Sequence, residues 1–189
     1  MITLYIAPYK KAMKHVFSKG EGLTVPDGTV VRSVLDSLVT QRAELSPIED
    51  VSLAVGQIPP HTASRIHLHP VVTQVTWVIS GKLKVKMKEA AVETPYELEL
   101  QQQEAVVTNP YTFFQLINDS ATPCETLYVV TPTFLFETDE AGQVIYNDAI
   151  VLEETWEELT ARGWAMLAED ADNDWVTQRS RALERLRKV

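Results

Sequence analysis

The chain has one cysteine, Cys124, in 189 residues. No intrachain disulfide can form, so the fold must stand on packing alone, and Cys124 is expected to be a buried strand thiol rather than a nucleophile. Positive charge is also scarce. Seventeen Lys and Arg face 26 Asp and Glu, for a net charge of −9, and without clustered cations no broad contact with nucleic-acid phosphates is expected. No apolar run approaches the roughly 20 residues that a membrane-spanning helix needs, so no membrane association is expected either. The sequence has no phosphate loop, dinucleotide fingerprint, CxxC pair or Ser-His-Asp order, which removes the chemistries those motifs carry. Internal repeats and low-complexity segments are missing too. The first residues, "MITLYIAPYKKAMK", place their apolar stretch before the lysines, the reverse of a secretory signal. These absences describe a cytoplasmic protein whose partners are small molecules or further copies of itself.

What is present is an ordinary globular composition, 45% hydrophobic and 23% charged, at a length that suits one domain. Residues 1–50 are mixed: a strand-like "ITLYIAP", a stretch punctuated by Gly and Pro, "SKGEGLTVPDG", and "VVRSVLDSLV", which suits strand or helix. From Asp50 to about Asp148 short β-like runs alternate with turn residues. In "KLKVKM", Lys82, Lys84 and Lys86 face water while Leu83, Val85 and Met87 face a core. "SLAVGQI", "TQVTWVI", "YELEL", "EAVVT", "TFFQLIN", "ETLYVV" and a hairpin "FLFETDEAGQVIYND", turning at Ala141-Gly142, follow the same rule. Eight or more antiparallel strands close most simply into a barrel or jelly roll, so the fold class is mainly β. From Leu152 the pattern becomes helical, with Trp156, Leu159, Leu167, Trp175, Leu183 and Leu186 on one stripe. The expected organisation is a barrel over 1–151 with an N-terminal extension and a helical tail over 152–189, packed on the barrel or on the mate of a homodimer. Self-association is expected from the apolar surface of the tail and of "ITLYIAP".

The chemistry gathers in "HTASRIHLHPVVTQVTWVISG", which holds three of the four histidines, His61, His67 and His69. Residues i and i+2 of a strand point the same way, so His67 and His69 can offer two imidazoles to one Zn, Fe, Ni or Mn ion. Pro70 then ends the strand, and Gln74 falls on the next one, where a further ligand would come. Thr76 and Val78 share the face of Gln74, and Trp77 takes the opposite one, toward a sheet interface. In "TFFQLIN", Phe113, Gln115 and Ile117 share a face, which is read as inward. Arg65 is an anion clamp beside the histidines or an exposed loop arginine. His15 lies in a stretch without pattern.

"HLHPVVTQVTWVISG" resembles the first motif of the cupin superfamily: two histidines, a glutamate after four residues, and a glycine after six more. His67, His69, Gln74 and Gly81 keep this spacing, with Gln for Glu. "PYTFFQLIN" is similar to the second motif through Pro110 and Asn118, with Thr112 in the glycine's place and Gln115 in the histidine's. The likeness spans residues of about 50 to 133. It implies a double-stranded β-barrel and, residue by residue, a divalent-metal site of His67, His69, Gln74 and Gln115, with His61 able to replace the missing third imidazole. Amide oxygens carry no charge, so such a site is weaker than one with a carboxylate. The resemblance implies a metal-dependent enzyme acting on a small organic acid or carbonyl compound, by Lewis-acid chemistry of isomerase or lyase type or as a dioxygenase. The alternative is a non-catalytic cupin that binds or senses a small molecule. Arg65, Thr76, Phe113 and Gln115 are the expected substrate-pocket residues. No Asp or Glu falls on the inward face near the histidines to act as general base.

Overall fold

A computed structural model describes residues 22–35, 51–134, 136–138, 144–146 and 148–165, together with Thr177 and Arg181. "ITLYIAP", His15, the Ala141-Gly142 turn and the tail positions Leu167, Trp175, Leu183 and Leu186 lie outside the described residues. The described chain forms two antiparallel sheets. The first runs β1 (Leu23–Thr24), β2 (Val30–Leu35), β3 (Ser52–Ile58), β11 (Cys124–Thr131), β6 (Thr73–Ser80) and β9 (Ala105–Thr108). The second runs β14 (Ile150–Leu152), β5 (Ile66–Leu68), β10 (Phe113–Asn118), β7 (Leu83–Lys88) and β8 (Tyr96–Leu100), with β4 (Thr62–Ala63) also on β10. A separate hairpin pairs β12 (Phe136–Thr138) with β13 (Val144–Tyr146).

Alternation sets the core. Leu83, Val85 and Met87 of β7 are buried and meet Leu116, Phe114 and Val78 between the sheets, while Lys84 and Lys86 stay outside. Cys124 is a buried thiol, and burial pushes its pKa up to about 11. Trp77 takes the face opposite Gln74 as expected, but it is 41% exposed rather than covered by another sheet.

The segment read as strand or helix is strand over Val30–Leu35, and it is no mere extension. The turn that feeds it, Val25-Pro26-Asp27-Gly28, closes with Gly28 N donating to Val25 O at 2.9 Å. Pro26 pre-sets the turn, and Gly28 takes φ 91, which a β-carbon would resist. The resulting hairpin joins the first sheet along Val30↔Gln57 to Leu35↔Leu53 and becomes one wall of the barrel.

Outside the second sheet a smaller apolar cluster joins Ile66, Leu68, Phe113, Ile150 and Leu152 to Trp156 and Leu159 of α1 (Trp156–Arg162). α1 begins at a capping box, in which Glu158 N donates to Thr155 Oγ1 and Thr155 N to Glu158 Oε2. Trp156 and Leu159 of α1 thus pack against the outer face of this chain's second sheet. Leu152, the expected start of the tail, is instead the last residue of β14, paired with Ile66.

Candidate active site in the barrel

His67 and His69 both line one cavity in the barrel, each 4% exposed, with ring centroids 5.7 Å apart. Their orientation is fixed from behind. His67 Nδ1 lies 2.9 Å from Arg65 O, and His69 Nδ1 lies 2.9 Å from Asp148 O. A carbonyl oxygen can only accept, so Nδ1 carries the proton in both rings and Nε2 is the basic nitrogen of the neutral form.

Gln74, 5% exposed, reaches the same cavity from β6. Its Nε2 donates to Thr76 Oγ1 at 3.1 Å, which turns the amide's donor end toward Thr76. Thr76 thus positions Gln74 and is not itself among the residues lining the cavity.

The acid absent from the sequence reading arrives from the N-terminal hairpin. Asp27 is 7% exposed and lines the cavity. Its Oδ1 accepts from Thr29 N at 3.0 Å and Thr29 Oγ1 at 2.8 Å, holding the turn, while Oδ2 stands 3.7 Å from His67 Nε2. Arg65 N donates to Asp27 O at 2.7 Å, so backbone ties the hairpin to the histidine strand. The signal was "PDG", a turn sequence in which an Asx side chain bonds the backbone two residues on. What sequence could not give was the fold-back that sets this turn against β5.

The other expected site residues stand elsewhere. Gln115 and Phe113 face away from the cavity. Gln115 Nε2 donates to Ser64 O at 2.7 Å, and its Oε1 accepts from Trp156 Nε1 at 2.8 Å. The inward residues of β10 are Phe114 and Leu116, and Phe114, paired with His67 across the strands, lays its ring 4.0 Å from that imidazole. The physical cause is a one-residue offset. Left-handed backbone, which glycine favours, occurs at Tyr111 (φ 62) and not at Thr112. Phe114 therefore occupies the place where a ligand from β10 would stand. Asn118 does hold its motif position, and its Nδ2 donates to Ile58 O, Pro59 O and Thr122 O at 2.8–3.1 Å, pinning two loops together.

His61 is exposed in a left-handed turn (φ 54) and is not among the cavity-lining residues. Arg65 extends outward to an ion pair with Glu153, so only its backbone serves the site.

The space open to the centre of a water-sized sphere amounts to about 40 Å³. Tyr128 forms another wall, and burial, opposed by its neighbour Thr126, raises its phenol pKa. The side-chain oxygens of Thr126 and Tyr128 are buried without a hydrogen bond of normal geometry. Among the described residues no three His, Cys, Asp or Glu side chains gather as a metal-holding group, and no helix is long and apolar enough to cross a membrane.

No family model matches the sequence, and no curated protein matches it significantly. Solved structures do. CapF, solved with the inhibitor 3-isopropenyl-tropolone, superposes with a TM-score of 0.50 at 16% identity over 75% of this chain and 35% of its own. An uncharacterized conserved protein with a double-stranded beta-helix domain from Klebsiella pneumoniae gives 0.44 at 18% identity, over 56% of this chain and 77% of its own. The cupin domain of Cnp3 from Schizosaccharomyces pombe gives 0.44 at 8% identity, over 55% and 61%. This chain has the cupin fold. Its N-terminal hairpin brings to that cupin barrel a carboxylate that the motif positions lack.

Proposed function

We propose that this cupin acts on a small organic acid or carbonyl compound, with a divalent metal ion on His67 and His69 and Asp27 as the proton acceptor. The observation that carries the reading is the pair Asp27–His67. With its proton on Nδ1, a neutral His67 turns a lone pair toward a buried carboxylate at 3.7 Å. Two acceptors in that position repel unless a positive charge lies between them. At that separation no direct hydrogen bond joins them, and a divalent ion on His67 and His69 would supply the charge.

The donor chemistry suits such an ion: two imidazoles held from behind by carbonyls, as ligating histidines are, and the Gln74 amide. A metal bound there supplies Lewis-acid polarisation of a carbonyl. The chain's own residues do the rest. Asp27 can take a proton from a carbon beside that carbonyl, and the Tyr128 hydroxyl can donate to a substrate oxygen. The walls of Leu23, Val25, Leu116 and Phe134 exclude bulk water. The small volume limits the reacting part of the substrate to a few non-hydrogen atoms.

A second reading is favoured by Phe114 in the place of a β10 ligand. Here the positive charge is a proton on His67, the pair is an ion pair, and the cavity is a binding pocket without catalysis. Elemental analysis separates the two. The first reading expects close to one divalent ion per chain, falling at least tenfold in His67→Ala with the fold intact by circular dichroism. Wild type that holds no ion after dialysis against Zn, Ni, Mn and anaerobic Fe leaves the binding pocket.

A further inference from the structure

Across the second sheet from the barrel cavity lies a larger pocket. The space open to a water-sized sphere there is about 470 Å³, and Lys88, Tyr111, Phe113 and Trp164 line it with Leu68 and Ala90. That size falls in the range of small-molecule sites, roughly 300–1,000 Å³.

Its wall is aromatic. Phe113 and Trp164 meet with ring centroids 6.0 Å apart at 57°, and Tyr111 stands 49% exposed beside them. Its charge is a lysine. Lys88 is 5% exposed, donates to Glu89 O at 2.6 Å, and sits 5.2 Å over the Trp164 ring. No described carboxylate pairs with it within ion-pair distance. The nearby Glu89 carboxylate, which also lines the pocket, is engaged instead by Tyr96, whose hydroxyl donates to it at 3.0 Å. A buried ammonium needs more than one carbonyl and a π face, because a desolvated charge is costly until it is paired. It has three protons to give.

We propose that this outer pocket is a second ligand site, for a small aromatic carboxylate. The carboxylate pairs with Lys88, and the ring lies on the Phe113–Trp164 wall. The balance of the lining selects this class. A phosphate calls for several donors, commonly with a guanidinium, whereas one ammonium beside apolar walls suits a monoanion with a flat apolar body. The site is independent of the barrel chemistry, since its residues face the opposite side of β5, β7 and β10.

Calorimetric titration with 2-naphthoate and its uncharged counterpart 2-naphthamide tests the proposal on the full chain. Naphthoate is expected to bind one per chain, with naphthamide at least tenfold weaker. Lys88→Met should weaken naphthoate at least tenfold and Lys88→Arg should retain it, the fold being checked by circular dichroism. The indole N–H resonance of Trp164, assigned with Trp164→Phe, should move on titration. No naphthoate binding at millimolar concentration overturns the proposal. So does equal binding of naphthamide, undiminished binding by folded Lys88→Met, or a Trp164 resonance that stays in place. The acid–amide comparison needs wild type alone and decides the matter even where Lys88→Met fails to fold.

Discussion

Inside the barrel, the space beside His67 amounts to about 40 Å³, while across the thickness of the same sheet the space beside Trp164 is about 470 Å³. The inner one is polar where it counts, with Asp27, His67, His69 and Gln74 all nearly buried. The outer one is aromatic with a single cation. A closed barrel fills its interior with side chains from every strand, so what remains is small and its chemistry is set by a few residues. Room for a larger ligand arises on the outside of the sheet, where the half-buried Trp164 stands over Phe113 and Lys88. β10 serves both spaces: Phe114 and Leu116 go in, Phe113 and Gln115 go out. Which pocket a residue belongs to is a matter of parity alone.

The largest test of this division is Phe114→Ala. Phe114 is fully buried and packed on His67, so removing its ring should cost about 3–5 kcal/mol of unfolding free energy, measured by urea denaturation. Phe113→Ala, on the outer face, should cost less, because its neighbour Trp164 is only half-buried and can close over the gap. An outer substitution that costs as much as the inner one would break the comparison.

Gly56→Ala tests the inner space from the other sheet. A β-carbon at Gly56 would come within 2.3 Å of Tyr128 Cε2 and 2.6 Å of its hydroxyl. Tyr128 is 4% exposed and must shift from its place in the cavity wall to make room. Overpacking of this kind costs about 1–3 kcal/mol, read as a lowered melting temperature. An unchanged melting temperature would mean that Tyr128 can leave the cavity wall, and its proposed role there would fall with it.

Strand alternation made much of this legible. "KLKVKM" and "SLAVGQI" lie within a residue of β7 and β3, because a half-buried strand writes its period into its side chains. His67 and His69 were legible for the same reason. Parity failed in "TFFQLIN", where the second and third residues are both phenylalanine and either face reads as apolar. Only the backbone at Tyr111 decides which one points inward. Asp27 was hidden differently. It serves a turn about 40 positions before His67 in the chain, and nothing local to either residue announces that the two will meet. Arg65 and His61 were credited for nearness in sequence, yet Arg65 turns outward to Glu153 and His61 stands on an exposed turn before β4.

The smallest expected effect belongs to Gln115, and it sharpens the division most directly. Its two bonds, to Ser64 O and from Trp156 Nε1, join the barrel's outer face to α1. Gln115→Ala leaves one donor and one acceptor without their partner in a half-buried place, where water can replace part of what is lost. The cost should be about 1–2 kcal/mol, below that of a fully buried pair. Were Gln115 a metal ligand, as its place in the motif suggested, the same substitution would lower metal content together with stability. An outward Gln115 predicts that the two separate: stability by urea denaturation falls modestly, while metal per chain stays at the wild-type value. A parallel loss of both would return Gln115 to the inner face and undo the parity on which the two pockets rest.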